Sequence, residues 1–192
     1  GHAEQVNTLQ WVAGENRLIT AGIDQTARLW NLDQEDDPLL HEIDSRGIRA
    51  AFSPDGLLMA TAGDREYIRL RDAQTGSVVA QLKRQDDGSQ SQSVAFSPDN
   101  RLLAVGFGGK VDESYIELWD IDARQRLAVM PGTTEIPDYE TKEYTGIVAG
   151  LSFSPDSKLL VAGFGSVNLL TRGDVGNRPL LVYDVDSRRI IR

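Results

Sequence analysis

Phe52-Ser53-Pro54-Asp55-Gly56-Leu57-Leu58-Met59-Ala60 returns as Phe96-Ser97-Pro98-Asp99-Asn100-Arg101-Leu102-Leu103-Ala104 and again as Phe153-Ser154-Pro155-Asp156-Ser157-Lys158-Leu159-Leu160-Val161. A looser copy opens the chain, where Trp11-Val12 leads through Ala13-Gly14-Glu15-Asn16 to Leu18-Ile19. Each copy reads as strand, tight turn, strand. Pro54 presets φ at the second turn position, Asp55 can bond nearby backbone, and Gly56 accepts positive φ. Asn100 is the next-best residue for that last role. Trp11 to Phe52 is 41 residues, and Phe52 to Phe96 is 44. A period of about 40–45 residues is that of a four-stranded repeat unit. Such a unit cannot bury the faces of its own sheet and must stack on neighbours.

Outward from the turns, the pattern predicts sixteen strands. They fall at 6–12, 17–21, 27–31 and 39–42, then at 48–52, 57–62, 67–71 and 77–82. The third repeat gives 93–96, 102–106, 115–120 and 126–130, and the fourth gives 147–153, 158–163, 180–184 and 189–192. The second strand of each later repeat is almost continuously apolar, as in Leu102-Leu103-Ala104-Val105, so it must be covered on both faces. Small residues follow it at Ala21-Gly22, Ala62-Gly63, Val105-Gly106 and Ala162-Gly163, where backbone can approach closely. The third strands end Trp30-Asn31, Arg71-Asp72, Trp119-Asp120 and Tyr183-Asp184. No segment has a convincing helical period, which argues against an α/β enzyme core.

The balance of charge is acidic: 20 Lys and Arg against 29 Asp and Glu, a net charge of -9 over 192 residues. The basic residues are scattered. Binding to phosphate backbones needs a basic stripe, so no nucleic-acid partner is expected. No apolar run approaches the roughly 20 residues of a membrane span, and no membrane partner is expected. No basic-then-apolar leader is visible, and the expectation is a cytoplasmic protein. With no cysteine there is no disulfide, thiolate metal site or Cys nucleophile. The two histidines, His2 and His41, have no nearby ligand pattern, and no metal or cofactor is expected.

Gly1-His2 and the run Thr20-Ala21-Gly22-Ile23-Asp24-Gln25-Thr26-Ala27-Arg28-Leu29-Trp30 carry a family resemblance. The chain resembles a WD-repeat β-propeller over nearly its whole length, in a compact style similar to bacterial members. The resemblance implies an all-β fold of four consecutive four-stranded antiparallel blades, at about 1–45, 46–88, 89–131 and 145–192. It also implies membership of a larger ring of seven or eight blades, with a closed four-bladed ring as the alternative. The family's hydrogen-bonded quartet maps onto His2, Thr20, Asp24 and Trp30. Blade two keeps Thr61, but Asp64 sits one place early, Arg71 replaces the Trp, and His41 lies two residues early. Blade three keeps Trp119, and blade four has Tyr183. The quartet has the composition of a catalytic relay, but a relay needs an open pocket beside its base. In a blade it ties a loop to strands.

The insertions point to a binding face. In an up-and-down blade, the loop between strands two and three lies at the same end as the connection to the next blade. The long segments 107–114, 131–146 and 164–178 all belong to that end. They carry Phe107, Tyr139, Tyr144, Leu169, Leu170 and Arg172, a mixture that suits a binding hot spot. Long loops on a rigid scaffold often carry function. Packing against further parts of the same protein and neutral drift are the competing readings. Gly108-Gly109-Lys110 and Gly173-Asp174-Val175-Gly176 are not phosphate loops, because no helix follows to supply amides.

The function expected is therefore a non-catalytic scaffold or sensor. It would hold protein partners at its long-loop end and pack against other blades or domains of the same protein. Resemblance to bacterial members implies a place behind a signalling domain. One alternative is an accessory propeller of a peptidase or of a TolB-like periplasmic protein. Another is an enzyme with its site in the central channel, which the first-strand residues Thr8, Ser93 and Gly150 disfavour.

Overall fold

In a computed structural model, the described residues are 1–12, 15–44, 49–63, 66–85, 88–108, 114–132, 146–166 and 180–192. All the regular elements among them are strands. The fold is all-β, built of four-stranded antiparallel meanders of the β-propeller type. The chain divides into two compact units, Gly1–Asp86 and Asp87–Arg192.

The first unit holds two sheets. One is β1 (Val6–Trp11), β2 (Arg17–Gly22), β3 (Thr26–Asn31) and β4 (Leu39–Asp44), paired in that order. The other is β5 (Arg49–Phe52), β6 (Leu58–Ala62), β7 (Tyr67–Asp72) and β8 (Val78–Lys83). Strand alternation sends Ile19, Ala21, Ala27, Leu29 and Ile43 to one face of the first sheet, where they share a core with Ala50, Phe52 and Met59 of the second. The two sheets are also joined by hydrogen bonds. The Gln10 side-chain amide donates to the Phe52 carbonyl at 3.2 Å and accepts from the Phe52 N–H at 3.0 Å. One side chain thus takes the part of a missing strand, satisfying both backbone groups that β5 turns toward β1.

The second unit holds β9 (Gln90–Phe96), β10 (Leu102–Gly108), β11 (Tyr115–Asp120) and β12 (Gln125–Pro131), then β13 (Gly146–Phe153), β14 (Leu159–Ser166), β15 (Leu180–Asp184) and β16 (Arg189–Ile190). Its core joins Ala104, Ile116, Leu118 and Met130 of the first group to Val148, Leu160, Ala162 and Tyr183 of the second. The continuously apolar second strand is buried on both faces, with Leu103, Ala104 and Val105 all at 0% exposure. These two groups are not separate sheets. Gly108 of β10 pairs with Ile147 of β13, joining them into one eight-stranded sheet. The reason is length: β10 runs past Gly106 to Gly108, and β13 starts at Gly146, so their ends meet.

The repeated turns are built alike. Ser53, Ser97 and Ser154 donate their hydroxyls to Asp55, Asp99 and Asp156 at 2.5, 2.5 and 2.6 Å. Each Ser Oγ also accepts from a Leu amide five residues on, at 2.9 Å. The fourth turn position has positive φ in all three: 73° at Gly56, 63° at Asn100 and 62° at Ser157. Ser157 shows that the surrounding bonds hold this conformation even without glycine or asparagine.

Candidate functional site: the quartet and the strand-end positions

The first blade closes its loop onto its strands through His2, Thr20, Asp24 and Trp30. The Trp30 indole N–H donates to Thr20 Oγ1 at 2.9 Å, and Thr20 Oγ1 lies 2.6 Å from His2 Nε2. His2 Nδ1 is 2.9 Å from Asp24 Oδ2. An ionised carboxylate only accepts, so Nδ1 carries the proton. With that single ring proton on Nδ1, Nε2 is the acceptor for the Thr20 hydroxyl. The chain runs one way, from Trp30 through Thr20 and His2 to Asp24. Asp24 also accepts from the Ala3 and Thr26 amides at 3.0 and 3.1 Å and from the Thr26 hydroxyl at 2.9 Å.

The side chains of His2 and Asp24 are only 4% and 8% exposed. Burial opposes ionisation of Asp24. Hydrogen bonds from His2, Ala3 and Thr26 outweigh it and hold the carboxyl well below the usual carboxylate range. Gly22 makes the arrangement fit. A Cβ there would lie 2.8 Å from the Gln5 carbonyl oxygen and 3.1 Å from His2 Nδ1.

Blade two does not assemble the same chain. Thr61 Oγ1 is buried with no hydrogen-bond partner among the described residues. His41 Nε2 instead donates to the Gln74 carbonyl at 2.6 Å, and Asp64 lies outside the described residues. In blade three the Trp119 indole donates to Glu117 Oε2 at 3.2 Å, and Arg126 Nη1 donates to Glu117 Oε1 at 2.6 Å. Glu117 is fully buried, and the Arg126 guanidinium lies 5.9 Å from the Trp119 ring centroid. Glu117 thus does for Trp119 what Thr20 does for Trp30. Sequence reasoning missed it; its place two residues before Trp119 on one strand was the available signal.

Of the residues expected on the binding face, Tyr139, Tyr144, Leu169, Leu170 and Arg172 lie outside the described residues. Phe107 needs a correction. It continues β10 instead of starting a loop, its exposure is 0%, and its ring stacks on Tyr115 at 4.9 Å between centroids. The strand ends that flank the long segments are paired to one another: Tyr115 with Pro131, Gly108 with Ile147, and Gly146 with Ser166. Among the described residues, no three His, Asp or Glu side chains gather to hold a metal ion, and no helix is long and apolar enough to cross a membrane.

The blades and the quartet place the chain among β-propellers built of sequence repeats. Residues 1–31, which carry the whole quartet, match the family model described as WD domain, G-beta repeat. The chain is 26% identical to WD repeat-containing protein VIP3 of Arabidopsis thaliana, with 99% of this chain and 56% of that protein covered. It is also 26% identical to THO complex subunit 3 of the same plant, covering 89% of this chain and 51% of that one. A chain of Kuenenia stuttgartiensis hydrazine synthase matches with a TM-score of 0.75 at 16% identity, covering 100% of this chain and 50% of that chain. That is a likeness of fold alone. The first repeat thus matches the WD-repeat model, and relatives that align along most of the chain are WD-repeat proteins. It spans about half the length of the curated relatives it matches.

Proposed function

We propose that this chain is a non-catalytic protein-interaction scaffold that holds its partners at the long-loop end of the second unit. The observation that carries this reading is the pairing of strand ends there. Tyr115 with Pro131, Gly108 with Ile147 and Gly146 with Ser166 bring the bases of all three long segments to one end. Tyr139, Tyr144, Leu169, Leu170 and Arg172 belong to those segments. The quartet supports the non-catalytic half of the reading. Its hydrogen-bonding atoms are all engaged within the blade, leaving none to attack or protonate a substrate. THO complex subunit 3 is named as part of a complex, and a similar role in an assembly suits this chain. A sensor role within a bacterial signalling protein rests on the compact Ser-Pro-Asp turns alone.

The test is a crosslinking footprint on the protein bound to its partners, followed by Tyr139→Ala and Leu170→Ala. Each variant should weaken partner binding by more than about 1 kcal/mol, the scale of a hot spot, with the fold intact by circular dichroism. A footprint confined to the short turns at 72–76 and 120–124 would overturn the reading.

A further inference from the structure

Arg71 stands opposite Met59, as Trp30 stands opposite Leu18 and Trp119 opposite Leu103. The repeat therefore puts a guanidinium where two other blades have an indole. The residue is 8% exposed. A cation so deeply placed is normally paired with a carboxylate, yet Arg71 forms no ion pair among the described residues. Its Nη1 donates to the Gly76 carbonyl at 3.0 Å and its Nη2 to the Asp44 carbonyl at 3.4 Å, while the buried Nε has no partner. A guanidinium offers five N–H donors, so most of those on Arg71 have no partner among the described residues.

Arg71 lines an open cleft of about 310 Å3, together with His41, Glu42, Ile43, Asp44, Thr75, Gly76 and Ser77; of its two carboxylates, Glu42 is paired with Arg28 at 2.8 Å. Ser77, another lining residue, is exposed, and its hydroxyl makes no hydrogen bond to a described residue. We propose that this cleft is an oxyanion site, taking one carboxylate or phosphate group between the Arg71 guanidinium and the Ser77 hydroxyl. Its volume lies at the lower end of small-ligand sites, which suits one such group and its immediate neighbours. The electrostatics point the same way. Desolvation lowers the pKa of Arg71, the charge of Arg69 lowers it further, and Asp44 raises it in part. A bound negative charge relieves the remainder. Asp44 is the internal competitor for the guanidinium.

The experiment is a pair of titrations of the 192-residue chain, followed by 15N–1H spectra, with sodium phosphate and with sodium acetate at ionic strength fixed by chloride. Saturable shifts are expected at the Arg71 Nε–H and at the amides of Thr75, Gly76 and Ser77, with at least one of the two anions. The anion that acts identifies the ligand as phosphate or carboxylate. Arg71→Gln should abolish the shifts. Because Arg71 also holds two carbonyls, Ser77→Glu serves as the second variant. It leaves the guanidinium in place, puts a carboxylate in the lining, and should weaken the titration more than tenfold. Absence of saturable shifts with both anions overturns the proposal, as does an undiminished titration in Ser77→Glu. Shifts that appear only in Asp44→Asn overturn it too, since Asp44 would then be the counter-ion.

Discussion

The Tyr183 hydroxyl donates to the Pro131 carbonyl at 2.6 Å, reaching from β15 to the last residue of β12. Tyr183 faces Leu160 across its strand pair, the position that Trp30 and Trp119 hold in their own sheets. Arg71, at the matching place in blade two, reaches in the same way to the Asp44 carbonyl at the end of β4. Where the indole is lost, its replacement sends a donor to the final strand of the preceding group. Tyr183→Phe should therefore lower stability in urea by about 0.5–1.5 kcal/mol, the net worth of one hydrogen bond. Tyr183 is 0% exposed, so its ring packing is retained and the loss is the hydroxyl's alone. An unchanged midpoint would show that the bond contributes nothing.

Gln10→Ala should free both backbone groups of Phe52 that the side-chain amide now satisfies. Unsatisfied buried groups cost about 1–3 kcal/mol. Hydrogen exchange is the direct measurement. The Phe52 amide should lose protection in the variant, while the Ser53 amide, bonded to the Leu58 carbonyl, should keep it.

Asp24→Ala should cost about 1–3 kcal/mol and shift no chemistry. The acid limb carries a sharper expectation. The folded carboxyl lies below its ordinary value of 3.8. Its contribution is therefore complete above that value and is lost as pH falls toward the folded value. Asp24→Asn should flatten the loss of stability below about pH 4, measured by urea midpoints across acidic buffers. A parallel acid limb in parent and variant would contradict this.

Glu117→Gln preserves shape and one acceptor for the Trp119 indole but removes the charge that faces Arg126. A loss of about 1–3 kcal/mol is expected for a charged, buried hydrogen bond, accompanied by a change in Trp119 fluorescence. Arg126→Gln should cost at least as much, because it leaves the fully buried Glu117 carboxylate without its cation.

Much of the fold was legible because turn chemistry and strand alternation are local. The expected strand at 115–120 matches β11 at both ends, and 180–184 matches β15. The start of β9 was missed by three residues. Gln90, Ser91 and Gln92 look like loop, but a register shift at Gly106 and Phe107 lets Ser91 and Gln90 pair with Phe107 and Gly108. The quartet positions could be named from one repeat, since all lie within 29 residues. The strand-end replacements could be seen but not interpreted. What Tyr183 and Arg71 bond to lies 52 and 27 residues away, and only the stacking of sheets brings those carbonyls near. Phe107 was misplaced because the insertion was counted from residue 107, whereas β10 continues to Gly108.

The serine-aspartate turns have a bearing on how the chain folds. Each closes its bonds within five residues, from Ser53 to Leu58, Ser97 to Leu102 and Ser154 to Leu159. Hairpins form in about 1–10 microseconds, whereas synthesis adds only about 5–20 residues each second. Each such hairpin has time to close and reopen many times before its next copy emerges from the ribosome. A chain of near-identical repeats runs the hazard of pairing a strand with the wrong copy. Local turns of this kind favour the nearest partner in each of the three copies that carry them, because it is within reach before a rival strand has been made.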